Sequence, residues 1–261
     1  MERALTYSVW LALCVGAPGA AASDLSQLQS QLNQTYVGQT LVLRGFYSGG
    51  KLEYDANGEL VRGGQPGPWT VDGKLLVGRL VLRHNRLQID GNRVWEEYDD
   101  HARSFSGIRS DALRIRVAFD PAHADSATLQ NLLSRVFLAR GESFVDQVPS
   151  YWGAYLEGRV KAAHQPLLGP PRDATAPVPL SDPNPPYSEE ARRAKYSGSV
   201  SLLLRVDADG TVQSVQIAKP AGLGLDEQAV KAVLSWKFKP ATRDGKPVGV
   251  EVSTTTTFKL F

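Results

Sequence analysis

Alternating hydrophobic and polar positions fill two stretches of this chain, and between them prolines replace the pattern. In the first stretch the alternation predicts β-strands, because successive side chains of a strand point to opposite faces. The runs are 40–47, 75–82, 87–95 and 113–119. Asn57-Gly58 and Asp90-Gly91 tolerate the positive φ that hairpin turns need, which favours antiparallel connections. We therefore predict a mainly antiparallel β domain over 24–161, which could close into a small barrel.

Two helices are predicted within the same domain. Leucines recur at helical spacing over 25–32. A second helix is predicted from Ser126, as its N-cap, to about Leu138. Its apolar face is formed by Leu129, Leu132, Leu133 and Val136.

The second stretch, over 187–261, begins with a predicted helix and hairpin. Ser188 is a suitable N-cap for a helix over 188–197, with acidic residues in its first turn and basic residues in its last. Residues 199–206 alternate as a strand, and 207–210 form a hairpin connection to a return strand over 211–218. The apolar spacing slips by one in the return strand, which predicts a β-bulge near Gln213-Ser214.

A second helix and a long last strand complete this stretch. Asp226 is predicted to cap the helix, whose buried stripe consists of Ala229, Val230, Val233 and Leu234. The last strand is predicted to run from Val248 to the end of the chain, with every second residue from Val248 to Leu260 on one face. In a three-stranded sheet this strand could lie at an edge, where it can pair with an incoming extended peptide.

Eight prolines occupy the segment between the two stretches, within 165–186. Proline has no amide donor and favours extended backbone, so we predict a semi-rigid linker over 162–186. The alternative is a loop that packs on a neighbouring domain.

The first 22 residues resemble a secretory signal. An uncharged, largely apolar run from Ala4 ends at Ala20-Ala21-Ala22, where small residues suit a signal peptidase. We expect a cleaved signal peptide over 1–22 and a periplasmic protein; an uncleaved segment would instead associate with the membrane. Cys14, the only cysteine, lies inside this segment.

Composition excludes several classes of function. The net charge of +2 gives no basic footprint for nucleic acid. Nucleophile, acid–base, phosphate-loop and cofactor motifs are all missing, so we predict no enzyme, no cofactor and no catalytic residue. Asp99-Asp100-His101 is the cluster that looks most like a metal site, but adjacent residues point in different directions and we predict none. A set of aromatic residues could line a groove in the first domain or belong to its core; these are Trp69, Trp95, Tyr151, Trp152 and Tyr155.

Four motifs stand out in the segment 181–261. They are Asn184-Pro185-Pro186-Tyr187, Gly198-Ser199-Val200, the run from Val206 to Val212, and Trp236-Lys237-Phe238-Lys239-Pro240-Ala241. With these motifs the segment resembles the TonB C-terminal domain family over its whole length. Ser188 stands where the family usually has a proline. Residues 1–22 contain no histidine, which the membrane anchor of a true TonB carries.

The resemblance implies an α+β fold in which two helices pack on a three-stranded antiparallel sheet. It also implies that the domain grips a short extended peptide of an outer-membrane TonB-dependent receptor, or of another envelope protein, beside its last strand. Carried over to this chain, the contact residues are Asn184, Pro186, Tyr187, Val250, Val252, Thr254, Thr256 and Phe258. In the alternative hypothesis the first domain recognises a ligand and the TonB-like segment serves assembly.

Overall fold

The computed structural model describes residues 22–139, 141–158 and 173–260, without the side chains of 22–24. Residues 1–21 of the predicted signal peptide, with Cys14, and the first part of the predicted linker lie outside the described residues. The chain divides into two compact units. Of the described residues, the first unit comprises those up to 67, those in 72–94 and those in 109–142; the second comprises those in 68–71, 95–108 and 143–260. The second unit thus takes in two pieces of the segment that precedes the predicted linker.

Both units contain helices as well as strands. The helices are α1 (Ala22–Tyr36), α2 (Trp69–Asp72), α3 (Ser126–Val136), α4 (Gly153–Leu156), α5 (Glu189–Arg193) and α6 (Leu225–Leu234). The strands are β1 (Thr40–Val42), β2 (Lys51–Tyr54), β3 (Leu60–Arg62), β4 (Lys74–Arg83), β5 (Arg86–Asp99), β6 (Ser104–Ala118), β7 (Val178–Ser181), β8 (Gly198–Val206), β9 (Val212–Lys219), β10 (Lys237–Lys239), β11 (Ala241–Arg243), β12 (Lys246–Val248) and β13 (Val250–Phe258). Among these helices none is both long enough and apolar enough to cross a bilayer.

A six-stranded sheet forms the first unit, in the order β1-β4-β5-β6-β2-β3. The α+β class is confirmed, but the order is linear, so the described strands form an open sheet rather than a barrel. One pair departs from the antiparallel prediction, because β2 lies parallel to β6. The long chain between these two strands makes the parallel pairing possible.

One face of this sheet is covered by α1 and α3. Leu28 and Leu32 of α1 join Leu129 and Leu133 of α3 in a single core with the inward side chains of the strands. The prediction that Ser126 caps α3 is wrong. Asp125 is the N-cap, and its carboxylate accepts a 2.7 Å hydrogen bond from the Thr128 amide, because its backbone is still extended where the helix begins.

The second unit contains the predicted three-stranded antiparallel sheet, in the order β13-β8-β9. The bulge is confirmed: Arg205 opposes Ser214 whereas Val206 opposes Val212, which leaves Gln213 as the extra residue. The Ser188 cap is also confirmed, since its hydroxyl accepts a hydrogen bond from the Ala191 amide at 3.2 Å.

Other details of this unit differ from the prediction. The helix α6 is capped by Gly224, at φ 75°, and not by Asp226. The Asp226 carboxylate instead accepts hydrogen bonds from the amides of Ala221 and Gly222, at 2.8 and 2.7 Å. It therefore closes the loop before the helix.

The long last strand is divided in two. β12 pairs with β11, and β13 begins only after Gly249. Part of the predicted linker is a strand as well, since β7 pairs with β10. Of its four residues only Pro179 lacks a backbone N–H donor, so the segment can still form hydrogen bonds with a neighbouring strand.

The loop 221–224 connects several parts of the second unit. The Leu223 amide donates to the Glu96 carbonyl at 2.9 Å, and the Gly224 amide donates to the Thr70 hydroxyl at 3.1 Å. The Ser188 hydroxyl donates to the Leu223 carbonyl at 2.5 Å. Residues far apart in sequence thus satisfy the polar backbone groups of one buried loop.

Candidate functional site

The strand β13 lies at an edge of the C-terminal sheet. All nine of its residues are in register with β8, from Val250 opposite Val206 to Phe258 opposite Gly198. In the described part of the chain, β8 is the only strand that pairs with β13. Backbone groups along a strand point alternately to its two sides, so every second residue of β13 directs its amide and carbonyl away from β8.

The two faces of β13 differ in chemistry. Val250 and Phe258 are buried at its ends, and the residues between them on that face are half-buried; these are Val252, Thr254 and Thr256. α6 packs against β9 and β8, so it lies over the other part of the sheet. The middle of β13 is only half-buried on this face.

Hydroxyl groups line the opposite face of β13. Thr255 and Thr257 are exposed, and they form cross-strand hydrogen bonds with Ser201 at 3.0 Å and Ser199 at 3.2 Å. Such pairs stabilise neighbouring strands and fix their register. This face is therefore polar and ordered next to the open edge.

Tyr187 is held beside the end of β13. Its ring meets Phe258 edge to face, with the centroids 5.6 Å apart. Its hydroxyl donates to the Tyr196 carbonyl at 2.7 Å, and the Arg192 guanidinium lies 5.9 Å from its ring centroid. The structure thus brings together Tyr187 and one end of the predicted contact strand.

Asn184 and Pro186, the other two predicted contact residues, are exposed on the segment that leads into α5. The Trp236 indole donates to the Pro183 carbonyl at 3.1 Å and holds this segment. Among the described residues, no hydrogen bond or ring contact joins Asn184 or Pro186 to β13. Their place at the site remains a prediction.

The other edge strand, β9, has a different environment. Residues 150–156 pack against it, and they include Trp152, which is fully buried. The ring of Trp152 meets those of Trp69 and Tyr155 at centroid distances of 5.3 and 6.2 Å. Trp69 and Trp95 are also buried. Of the two alternatives, a groove lining or a core, these three tryptophans therefore fit the core. Tyr151 and Tyr155 are half-buried.

Two adjacent carboxyl groups lie at the start of α6; Asp226 is buried and Glu227 is half-buried, which the sequence pattern did not predict. Burial, followed by repulsion from Glu227, raises the pKa of Asp226 well above its ordinary value. Burial also raises the pKa of Glu227 to about 7, although Glu227 Oε1 accepts a 3.1 Å hydrogen bond from the Trp152 indole. Oε2 of Glu227 is buried with no hydrogen-bond partner among the described residues. An acidic pair in the first turn of a helix is ordinary, so no local signal distinguishes this one.

The acidic loop considered as a metal site is engaged in other contacts. The Asp99 carboxylate accepts hydrogen bonds from the amides of Ala102 and His101, and these bonds lower its pKa. Asp100 forms an ion pair with Lys219 at 2.7 Å. In the ranges that the structure describes, no three His, Cys, Asp or Glu side chains are grouped so as to hold a metal.

The segment that contains this edge strand is similar to a known family. Residues 183–260 match the family model described as "Gram-negative bacterial TonB protein C-terminal", which confirms the resemblance predicted from the sequence. The match covers the C-terminal part of the chain only.

Individual relatives agree with the family model. The chain is 40% identical over 82 residues to "Protein tonB2" of Pseudomonas aeruginosa, which is 31% of this chain and 30% of that protein. It is 36% identical over 92 residues to "Protein TonB" of Xanthomonas campestris pv. campestris, or 34% of this chain and 41% of the relative. It is 34% identical over 77 residues to "Protein TonB" of Vibrio cholerae, or 29% of this chain and 32% of the relative. The chain therefore spans less than half the length of these relatives.

A solved structure is also similar. It is the solution NMR structure of the Pseudomonas aeruginosa TonB C-terminal domain, at 24% sequence identity and a TM-score of 0.28. The similarity covers 34% of this chain and 89% of that structure.

Proposed function

We propose that this protein binds an extended peptide of an outer-membrane TonB-dependent receptor, or of another envelope protein, by adding it as a strand beside β13. On this proposal it acts in the periplasm as a binding protein, not an enzyme, in support of TonB-dependent transport. The observation that carries the proposal is the outer edge of β13, which no other described strand covers. The relatives named TonB support the same role for residues 183–260.

Main-chain hydrogen bonds would supply most of the affinity. A nine-residue strand is about 30 Å long at ~3.3 Å per residue, which is enough to pair with a short peptide over its whole length. Each second amide and carbonyl of β13 points away from β8 and can bond the incoming backbone. This accounts for a site whose side chains are mainly small.

Side chains beside the edge would select among peptides. On one face an incoming strand would lie next to Val252, Thr254 and Thr256, with the Tyr187 ring near one end. On the other face it would lie next to the hydroxyl groups of Thr255 and Thr257. We expect apolar or small peptide side chains on the first face and polar ones on the second.

A pair of proline substitutions tests strand addition. Val252 and Ser253 are adjacent, so one of their amides faces β8 and the other faces the open edge. Val252→Pro and Ser253→Pro should therefore behave differently, because only the loss of the amide that faces β8 weakens the sheet. The variant that stays folded should fail to capture receptor peptides from an envelope extract, with the full chain as bait.

A matched control keeps the backbone intact. Glu251→Gln alters an exposed side chain near the start of the same strand and leaves every amide in place, so we expect capture of the same peptides. Circular dichroism identifies which proline variant is folded. Undiminished capture by that variant would exclude strand addition at β13.

A further inference from the structure

The outer face of the first unit's sheet, which α1 and α3 leave uncovered, carries a concentration of positive charge. Cross-strand register places its residues in rows: Arg79 opposes Asp90 and Arg83 opposes Arg86, on the side opposite the buried pairs of the same strands. The parallel pair adds Lys51 opposite Arg114 and Glu53 opposite Arg116. We call this surface the basic face; its cations are Lys51, Arg62, Arg79, Arg83, Arg86, Arg114 and Arg116.

Acidic groups only partly balance these cations. Arg114 pairs with Asp90 at 2.6 Å, and Arg116 lies 3.3 Å from Glu53. Asp55 lies in the turn after β2, where its carboxylate accepts hydrogen bonds from the amides of Asn57 and Glu59. The seven named cations outnumber these three carboxylates, so the rows described here keep an excess of positive charge.

One row shows this excess most directly. Arg83 and Arg86 are the last residues of β4 and the first of β5, they are both exposed, and they lie opposite each other. Like charges in directly opposed positions destabilise a sheet. A pair of this kind costs stability in the isolated protein and becomes favourable when anions bind between or above the two guanidinium groups.

The arrangement suits an extended anionic surface. Neighbouring strands are about 4.8 Å apart and alternate residues about 7 Å apart, so the cations are spread over the face of the sheet rather than converging on one point. The outward-facing residues in these rows include no aromatic ring. Sugars and single-stranded nucleic acids are usually held by stacking on such rings. The absence of aromatic rings from these rows therefore favours anionic lipid headgroups over sugars and single-stranded nucleic acids as the ligand.

We infer that the basic face binds the surface of a lipid bilayer that contains anionic headgroups. The interaction is electrostatic and peripheral, since each basic residue near such a surface contributes a modest attraction that salt screens. It is independent of the peptide site proposed on β13. It would give the first unit a role in placing the protein against a membrane.

Vesicle sedimentation tests this inference with the full chain. We expect the protein to sediment with vesicles of phosphatidylcholine and phosphatidylglycerol in equal parts, and not with phosphatidylcholine alone. Arg83→Gln combined with Arg86→Gln should weaken binding by about fivefold for each charge removed. Thermal unfolding should show no loss of stability, because the substitutions relieve a like-charge pair.

The control removes the same charge from the other unit. Lys231→Gln combined with Lys246→Gln changes two exposed lysines of the second unit and should leave vesicle binding unchanged. Three results would overturn the inference. They are sedimentation that does not depend on phosphatidylglycerol, equal loss in the control, and retention on heparin at a salt concentration that abolishes vesicle binding.

Discussion

Replacing Glu227 with glutamine should change how stability depends on pH. Glu227 lies on α6, and the groups around it are the Trp152 indole, Tyr151, the neighbouring Asp226 and Lys231 one turn further along the helix. Glutamine keeps the oxygen that accepts the indole hydrogen bond, and it has nearly the same shape. It reproduces the protonated, neutral form of the side chain at every pH.

The magnitude follows from the pKa. Burial raises the pKa of Glu227 from 4.5 to about 7 in the folded protein. Between these values the folded protein keeps a proton that the unfolded chain has released, so stability is greatest on the acidic side and falls as pH rises through this window. At about 1.4 kcal/mol for each tenfold change in proton affinity, the loss amounts to about 3 kcal/mol.

Urea denaturation across the pH range measures this effect. We expect Glu227→Gln and the original protein to have similar free energies of unfolding near about pH 4 and to diverge as pH rises, until the variant is more stable by up to about 3 kcal/mol at about pH 8. Asp226 remains in the variant and its pKa is raised in the same direction, so some pH dependence persists.

A matched substitution separates this effect from a general loss of charge. Glu251→Gln alters an exposed glutamate of β13 in the same unit and should give a curve parallel to that of the original protein. If the Glu227→Gln curve is also parallel, Glu227 does not keep its proton in the folded state and the burial argument is wrong.

Three further predictions concern the loop before α6 and the elements around it. Gly222→Ala should lower the free energy of unfolding by more than about 3 kcal/mol in thermal unfolding, because a Cβ there would lie 2.2 Å from the Glu96 carbonyl oxygen and the backbone has a φ of +89°. Gly245→Ala, at φ +74° with open space around it, should cost only about 1 kcal/mol of backbone strain. Equal losses in the two variants would contradict the close approach of Gly222 to Glu96. Ser188→Ala should cost about 1–2 kcal/mol in denaturant titration, since it removes both a helix cap and a hydrogen bond to Leu223, and Ser197→Ala on the following loop should cost less. A fragment of residues 181–261 should show fast amide exchange in α6, because it lacks the partners Thr70, Glu96 and Trp152; slow exchange equal to that of the full chain would refute this.

Local patterns predicted the C-terminal sheet well, because its signals are local. Alternation located β8, the Asp207–Gly210 turn located the hairpin, and the slipped apolar spacing located the bulge at Gln213. The number of strands made an edge position possible for the last strand, and the sheet order places it there. These features depend on residues that are close in sequence.

Long-range contacts explain what the sequence did not predict. Asp226 resembles an ordinary N-cap, and only the position of the 221–222 amides in space gives its carboxylate another role. The strand β7 lies in a proline-rich segment, and its partner β10 is more than fifty residues away. The buried tryptophans of the second unit belong to segments that are distant in sequence from its C-terminal sheet. The periodicity of a single segment cannot predict such an association.

The loop 221–224 has a consequence for how the chain folds. Its hydrogen bond to Thr70 joins residues 154 positions apart, and the ion pair between Lys219 and Asp100 joins residues 119 apart. Folding slows as the average sequence separation of contacts increases, because long loops must close before the contacts form. The second unit can be completed only after α6 has been synthesised. Thr70, in the first third of the chain, therefore has no partner for its hydroxyl until Gly224, in the last third, has been made.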